Sequence, residues 1–165
     1  MAADPSADPS DRESPYELLQ RGTELMRRRH HAQAAVVLQR AARLEPGRGS
    51  ILEALGRAYF NSGQVEPARE TFEALLEVDP SSHYGHFALG QSLKRLGRPA
   101  EARTHLRLAT ALEPRSSLYR SALARLPEPE PEGEPDPASG PEPGADSGPG
   151  SGPGSAGPGG DTADA

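Results

Sequence analysis

Residues Leu52–Pro80 read LEALGRAYFNSGQVEPARETFEALLEVDP. Leu52, Leu55, Ala58 and Tyr59 recur at the spacing that puts them on one face of a helix. Ser50 precedes this run, and Glu53 follows it by three residues, which predicts a capping box at the helix start. Asn61-Ser62-Gly63 closes the first helix, with Gly63 free to take a left-handed conformation. Ala68, Phe72, Leu75, Leu76 and Val78 mark a second helix. It stops at Asp79-Pro80, because proline lacks an amide hydrogen and restricts the residue before it.

The skeleton returns when the sequence is shifted by 34 residues. Gly22, Gly56 and Gly90 align, as do Ala34, Ala68 and Ala102, and Pro46, Pro80 and Pro114. Leu38, Phe72 and Leu106 share a fourth slot, and Leu25, Tyr59 and Leu93 a fifth. A fixed period of this size is the mark of a solenoid of stacked helical pairs. A glycine inside a helix costs about 1 kcal/mol against alanine. Its return at one register predicts that another backbone passes close there, with the alanine twelve residues on facing the same contact. Ser14-Pro15-Tyr16-Glu17 predicts a capping box for the first helix, and Ser116 or Ser117 can start a seventh helix carrying Leu118, Ala122, Leu123 and Leu126 on one face.

These slots resemble the tetratricopeptide repeat, whose pattern is W-x2-L-G-x2-Y, then A-x3-F, then P. Repeat two fits best, through Leu55-Gly56, Tyr59, Ala68, Phe72 and Pro80, with Leu52 in the tryptophan slot. Repeat three keeps Leu89-Gly90, Ala102 and Pro114 but has His86 in that slot. Repeat one keeps Gly22, Ala34 and Pro46 and has Arg21 where leucine is usual, which is tolerable if the first helix has no neighbour on that side. The resemblance implies an all-α solenoid of three helix-turn-helix repeats, at about 15–48, 49–82 and 83–116, with a capping helix at 117–126. That domain, 14–126, is expected between an acidic disordered end at 1–13 and a disordered Pro/Gly/acidic tail at 127–165.

Charge separates these parts. The 165-residue chain carries −6. Residues 15–126 hold seventeen basic and eleven acidic side chains, whereas residues 127–165 hold nine acidic and no basic ones. A basic body thus lies between acidic ends. The tail reads as a solubilising segment, with transient occupation of the basic body as the sharper alternative. Cysteine is absent, which excludes disulfides and thiolate metal sites. No run approaches the roughly 20 apolar residues of a membrane span, and the acidic N-terminus does not read as a secretory signal. A cytoplasmic location is the expectation.

In the family, the first helices line a concave groove. The resemblance places Tyr16, Leu19, Thr23, Met26 and Arg27 there from repeat one, Glu53, Arg57, Phe60 and Asn61 from repeat two, and Tyr84, Phe87, Gln91, Lys94 and Arg95 from repeat three. Alternating aromatic and basic side chains suit a peptide with apolar anchors and carboxylates. The expected function is a non-catalytic protein–protein interaction module, an adaptor or assembly scaffold. A nucleic-acid-associated protein and a self-associating scaffold are the alternatives. Some three-repeat members grip a chaperone C-terminal carboxylate with lysine, asparagine and arginine. The matching positions here are Leu19, Thr23, Ala54, Tyr84 and Ala88, so no such clamp is expected.

The basic run Arg27–His31 reads first as a solvated helix end and only secondarily as a phosphate contact. His83 and His86 lie one helical turn apart, with no further ligand at zinc spacing, so no metal and no cofactor are expected. No phosphate loop or nucleophile motif is present, and no catalytic residue is assigned.

Overall fold

The computed structural model describes residues 13–127, all within a unit spanning Met1–Pro129. The expected disordered ends at 1–13 and 127–165 lie outside the described residues, apart from Glu13 and Pro127. Seven helices follow in order: α1 Pro15–Arg27, α2 His31–Leu44, α3 Gly49–Asn61, α4 Val65–Val78, α5 His83–Arg95, α6 Pro99–Leu112 and α7 Ser117–Ala124. No strand occurs among the described residues. Each helix packs on the next, and α1–α3 and α3–α5 also touch. The first helices of the three repeats therefore form one layer of an α-solenoid.

The helix ends show how local sequence produces this path. Ser14 caps α1 with both halves of the expected box: its hydroxyl accepts from the Glu17 amide at 3.3 Å, and its amide donates to the Glu17 carboxylate at 2.8 Å. The expected box at Ser50 does not form. Gly49 is already helical, Arg48 is the extended N-cap, and the Arg48 carbonyl accepts from the amides of Ile51 and Leu52. Ser50 is thus inside the first turn, where its hydroxyl cannot cap.

The hairpin turns are built alike. The amide of His30 donates to Leu25 O, that of Gln64 to Tyr59 O and that of Arg98 to Leu93 O, each at 2.9 Å. Together with the bonds from Arg29, Gly63 and Gly97, these are Schellman turns. The central residue must have positive φ. Gly63 and Gly97 take 84° and 74° without a side-chain penalty, but repeat one places Arg29 there, at 63°.

The repeating glycines have a different role from the expected close backbone. A Cβ on Gly22 would lie 2.4 Å from Leu38 Cγ, one on Gly56 would lie 2.5 Å from Phe72 Cε1, and one on Gly90 would lie 2.8 Å from Leu106 Cγ. The large residue sixteen positions later lies over each glycine, so the hairpin closes by seating a side chain on bare backbone. At Gly90 the expected backbone is close as well, with Ala102 O 3.1 Å away. Leu38, Phe72 and Leu106 are all buried, as are Ala34, Ala68 and Ala102. Among the described residues no buried side-chain nitrogen or oxygen lacks a partner.

The two ends of the solenoid differ. Arg21, in the leucine slot of repeat one, is exposed and pairs with Glu13 at 3.0 Å. At the other end, α7 buries Tyr119, Ala122 and Leu126, with Leu123 partly buried. The expected Leu118 is instead 58% exposed while Tyr119 is 6% exposed. Positions 119, 122, 123 and 126 form the i, i+3, i+4, i+7 stripe, and 118 falls one residue off it.

Gly56→Ala is expected to destabilise the protein by about 1–3 kcal/mol, despite alanine's higher helix propensity, because the Phe72 ring must move. Arg29→Gly is expected to stabilise it by about 0.5–1 kcal/mol, the left-handed strain outweighing the entropy glycine adds to the unfolded chain. Urea denaturation of the two variants measures both.

Candidate functional site

A cavity of about 480 Å³ lies between α3, α4 and α5, lined by Arg57, Phe60, Asn61, Phe72, Tyr84, Phe87, Ala88, Gln91 and Arg95. Its aromatic rings touch in series. Phe72 and Tyr84 meet edge-on with centroids 6.4 Å apart, and Tyr84 and Phe87 are 6.2 Å apart. Phe72 therefore has two roles: one part of its ring covers Gly56, and another faces the cavity. Burial pushes the Tyr84 hydroxyl up to about 12, so this ring presents no charge at any physiological pH.

Two arginines cross between the helices. Arg57 of α3 stands over the Tyr84 ring of α5, 5.9 Å from its centroid. Arg95 of α5 stands over the Phe60 ring of α3 at 4.1 Å and donates from Nη1 to Phe60 O at 3.1 Å. A guanidinium stacked on an aromatic face keeps donors free for a planar acceptor such as a carboxylate. Glu53 reaches Arg57 only loosely, at 3.7 Å.

Seven of the groove residues named from sequence line this cavity: Arg57, Phe60, Asn61, Tyr84, Phe87, Gln91 and Arg95. The others lie elsewhere. Leu19 and Met26 pack against the repeat-one core, and Tyr16 and Lys94 are exposed. Thr23 donates its hydroxyl hydrogen to Leu19 O at 2.8 Å. Arg27 and Arg28 both bind Glu24, at 2.7 and 2.6 Å, so one carboxylate is shared between two guanidiniums of the basic run. Those bonds, led by the one from Arg27, hold Glu24 down at about 2.

Sequence reasoning missed Phe72 and Ala88, which belong to the cavity, and Tyr119, which supports it from behind. Tyr119 stacks on Phe87 with centroids 4.8 Å apart and planes at 28°. Its hydroxyl is 2.9 Å from His83 Nδ1. The stripe at 119, 122, 123 and 126 was the available signal. Among the described residues no group of three or more histidine, cysteine, aspartate or glutamate side chains could hold a metal ion, and no helix is long and apolar enough to cross a membrane.

The family model described as "Tetratricopeptide repeat" matches residues 19–83 and 53–117. Superkiller complex protein 3 of Mus musculus is 34% identical over 84 residues, which is 51% of this chain and 5% of that protein. The chain therefore spans a small part of the curated relative's length. The first TPR of Spaghetti bound to the HSP90 peptide SRMEEVD has a similar fold, with TM-score 0.65 at 15% identity over 67% of this chain and 88% of that one. So has the Yersinia enterocolitica type III secretion chaperone SycD in complex with a peptide of the translocator YopD, with TM-score 0.62 at 18% identity over 73% of this chain and 95% of that one.

Tyr119→Phe keeps the stack and removes one hydrogen bond, so it is expected to cost about 1 kcal/mol. Tyr119→Ala also removes the ring from the core and is expected to cost about 3 kcal/mol. Hydrogen exchange should then rise in α7 and in the first turns of α5 while α1 and α2 stay protected.

Proposed function

The chain belongs to the tetratricopeptide repeat family, and on that premise we propose that it is a non-catalytic protein–protein interaction module, an adaptor or assembly scaffold, that holds a partner's peptide segment between α3 and α5. The observation that carries this reading is the pairing of an aromatic cavity with two guanidiniums stacked across it. An apolar side chain of the peptide fills the space between Phe60, Phe72 and Phe87. Carboxylates before or after it meet Arg57 and Arg95; Arg95 is already held over the Phe60 ring by its bond to Phe60 O, so it loses less side-chain entropy on binding. Aromatic and arginine anchors of this kind carry most of the energy in interfaces. The solved structures of similar fold that hold peptides support the reading at the level of fold.

The matched positions again argue against a chaperone-carboxylate clamp. Thr23 is bonded to its own helix, Ala88 is buried, and Tyr84 is neutral. The peptide SRMEEVD is expected to show no submicromolar binding in fluorescence anisotropy.

A display library of peptides rich in aspartate and glutamate around one leucine or phenylalanine tests the main reading directly. Selected peptides are expected to lose roughly 30-fold or more in affinity with Phe60→Ala and with Arg57→Glu. They should weaken with added salt far less steeply than phosphate binding does, because only two exposed arginines meet the carboxylates. Equal binding by wild type and both variants overturns the reading. A steep loss of nucleic-acid binding with salt, in place of peptide binding, would instead favour the basic body acting on phosphates.

A further inference from the structure

His86 occupies the tryptophan slot of repeat three and is buried. Its ring joins three segments. Nε2 lies 3.1 Å from Pro80 O, in the turn that ends repeat two, and Nδ1 lies 3.1 Å from Nδ1 of His105 on α6. The two imidazoles lie end to end, with centroids 5.3 Å apart and planes at 23°, as an in-plane hydrogen bond between ring nitrogens requires. A carbonyl only accepts, so His86 Nε2 carries the hydrogen in the bond to Pro80. Neutral His86 then has a bare Nδ1, and His105 must donate its Nδ1–H to it.

We propose that His86 and His105 form a proton-limited clamp that unlocks repeat three below neutral pH: the gap between their Nδ1 atoms holds one proton, and a second forces the rings apart. The first added proton is tolerated, because His105 can take it on Nε2 while still donating from Nδ1. The next must go to His86 Nδ1. Two N–H groups then face each other across the gap, on two cations whose nitrogens lie 3.1 Å apart. Separation removes the polar contact between α5 and α6, loosening a hairpin that Leu106 on Gly90 still closes, and frees the ring that anchors the turn at Pro80. The inference is independent of what the cavity between α3 and α5 binds.

The surroundings relieve the pair only in part. Burial, and after it the neighbouring His86, push His105 below its ordinary value. Glu73 on α4 and Glu101 on α6 act in the opposite direction. Each is already held by an arginine, Glu73 by Arg69 at 2.5 Å and Glu101 by Arg98 at 2.6 Å. In the unfolded chain both imidazoles titrate near ~6.5. Below that value the folded pair binds fewer protons than the unfolded one, so stability is full above it and falls as pH drops.

The test is denaturant unfolding of the full chain across about pH 7.5 to 5, for wild type and His105→Gln. Glutamine can donate an amide hydrogen to neutral His86 Nδ1 and, with the amide turned over, accept from a protonated one through its oxygen, so it neither charges nor blocks the proton on His86. The wild-type unfolding constant is expected to rise by up to about tenfold per pH unit more steeply than that of the variant. His30, His31 and His83 remain in both proteins and cancel. Parallel profiles overturn the proposal. Imidazole nitrogen NMR of the wild type gives an independent reading should the variant fold poorly. The expected pattern at neutral pH is Nε2–H on His86 and Nδ1–H on His105, with α5 and α6 amides moving together at the second protonation. Two rings that both charge near their ordinary value, with no change in those amides, also overturn it.

Discussion

Everything in this fold depends on a large side chain resting on a bare stretch of helix. Leu38 on Gly22, Phe72 on Gly56 and Leu106 on Gly90 set how near the two helices of each repeat can come. Three glycines in helix interiors each cost about 1 kcal/mol in propensity. The loss is offset because the apolar residue leaves water completely, which contributes about 1.5–3 kcal/mol per side chain. One geometry repeated at a fixed interval then gives the first helices a common layer. The cavity between α3 and α5 follows from that layer, since Phe72 belongs both to the hairpin closure and to the cavity wall.

The repeat and most helix ends are legible in the sequence because they depend on local or strictly periodic signals, and seven of the nine residues lining the candidate cavity fall at positions the family resemblance names. The seven observed helices begin and end close to where capping residues, Gly63, Gly97 and the prolines place them. What escaped depends on chain segments that only folding brings together. His105 lies nineteen residues from His86, on another helix, and neither spacing nor residue type announces the pair. Tyr119 was displaced by Leu118 because a helix of eight residues offers barely two turns in which to fix the register. Arg29 was legible only as part of a basic run. Its true constraint, a positive φ, shows once it is aligned with Gly63 and Gly97. The glycine slots predict a close neighbour without saying which kind: the nearest atoms are side-chain ones at all three, joined by a backbone carbonyl at Gly90, since a bare Cα suits an approaching side chain as well as an approaching backbone.

Repeat three is where the special features gather. It has the histidine in place of tryptophan, the bond between His83 and Tyr119, and the stacking of Tyr119 on Phe87. Repeat one is plainer, with a polar outer side held by Arg21 and Glu13. In a solenoid each unit is stabilised chiefly by its neighbours, so two ends so differently built give the domain a polarity beyond the direction of the chain.

The file of rings from Phe72 through Tyr84 and Phe87 to Tyr119 also governs how this molecule responds to light. The chain has no tryptophan and four tyrosines. Tyr16 sits in water, while Tyr84 and Tyr119 are locked among other rings. Its near-ultraviolet dichroism therefore weights the ring cluster of α5 and α7, with half-buried Tyr59 of α3 adding a signal from the middle, and a tryptophan placed in repeat one would give that end a signal of its own.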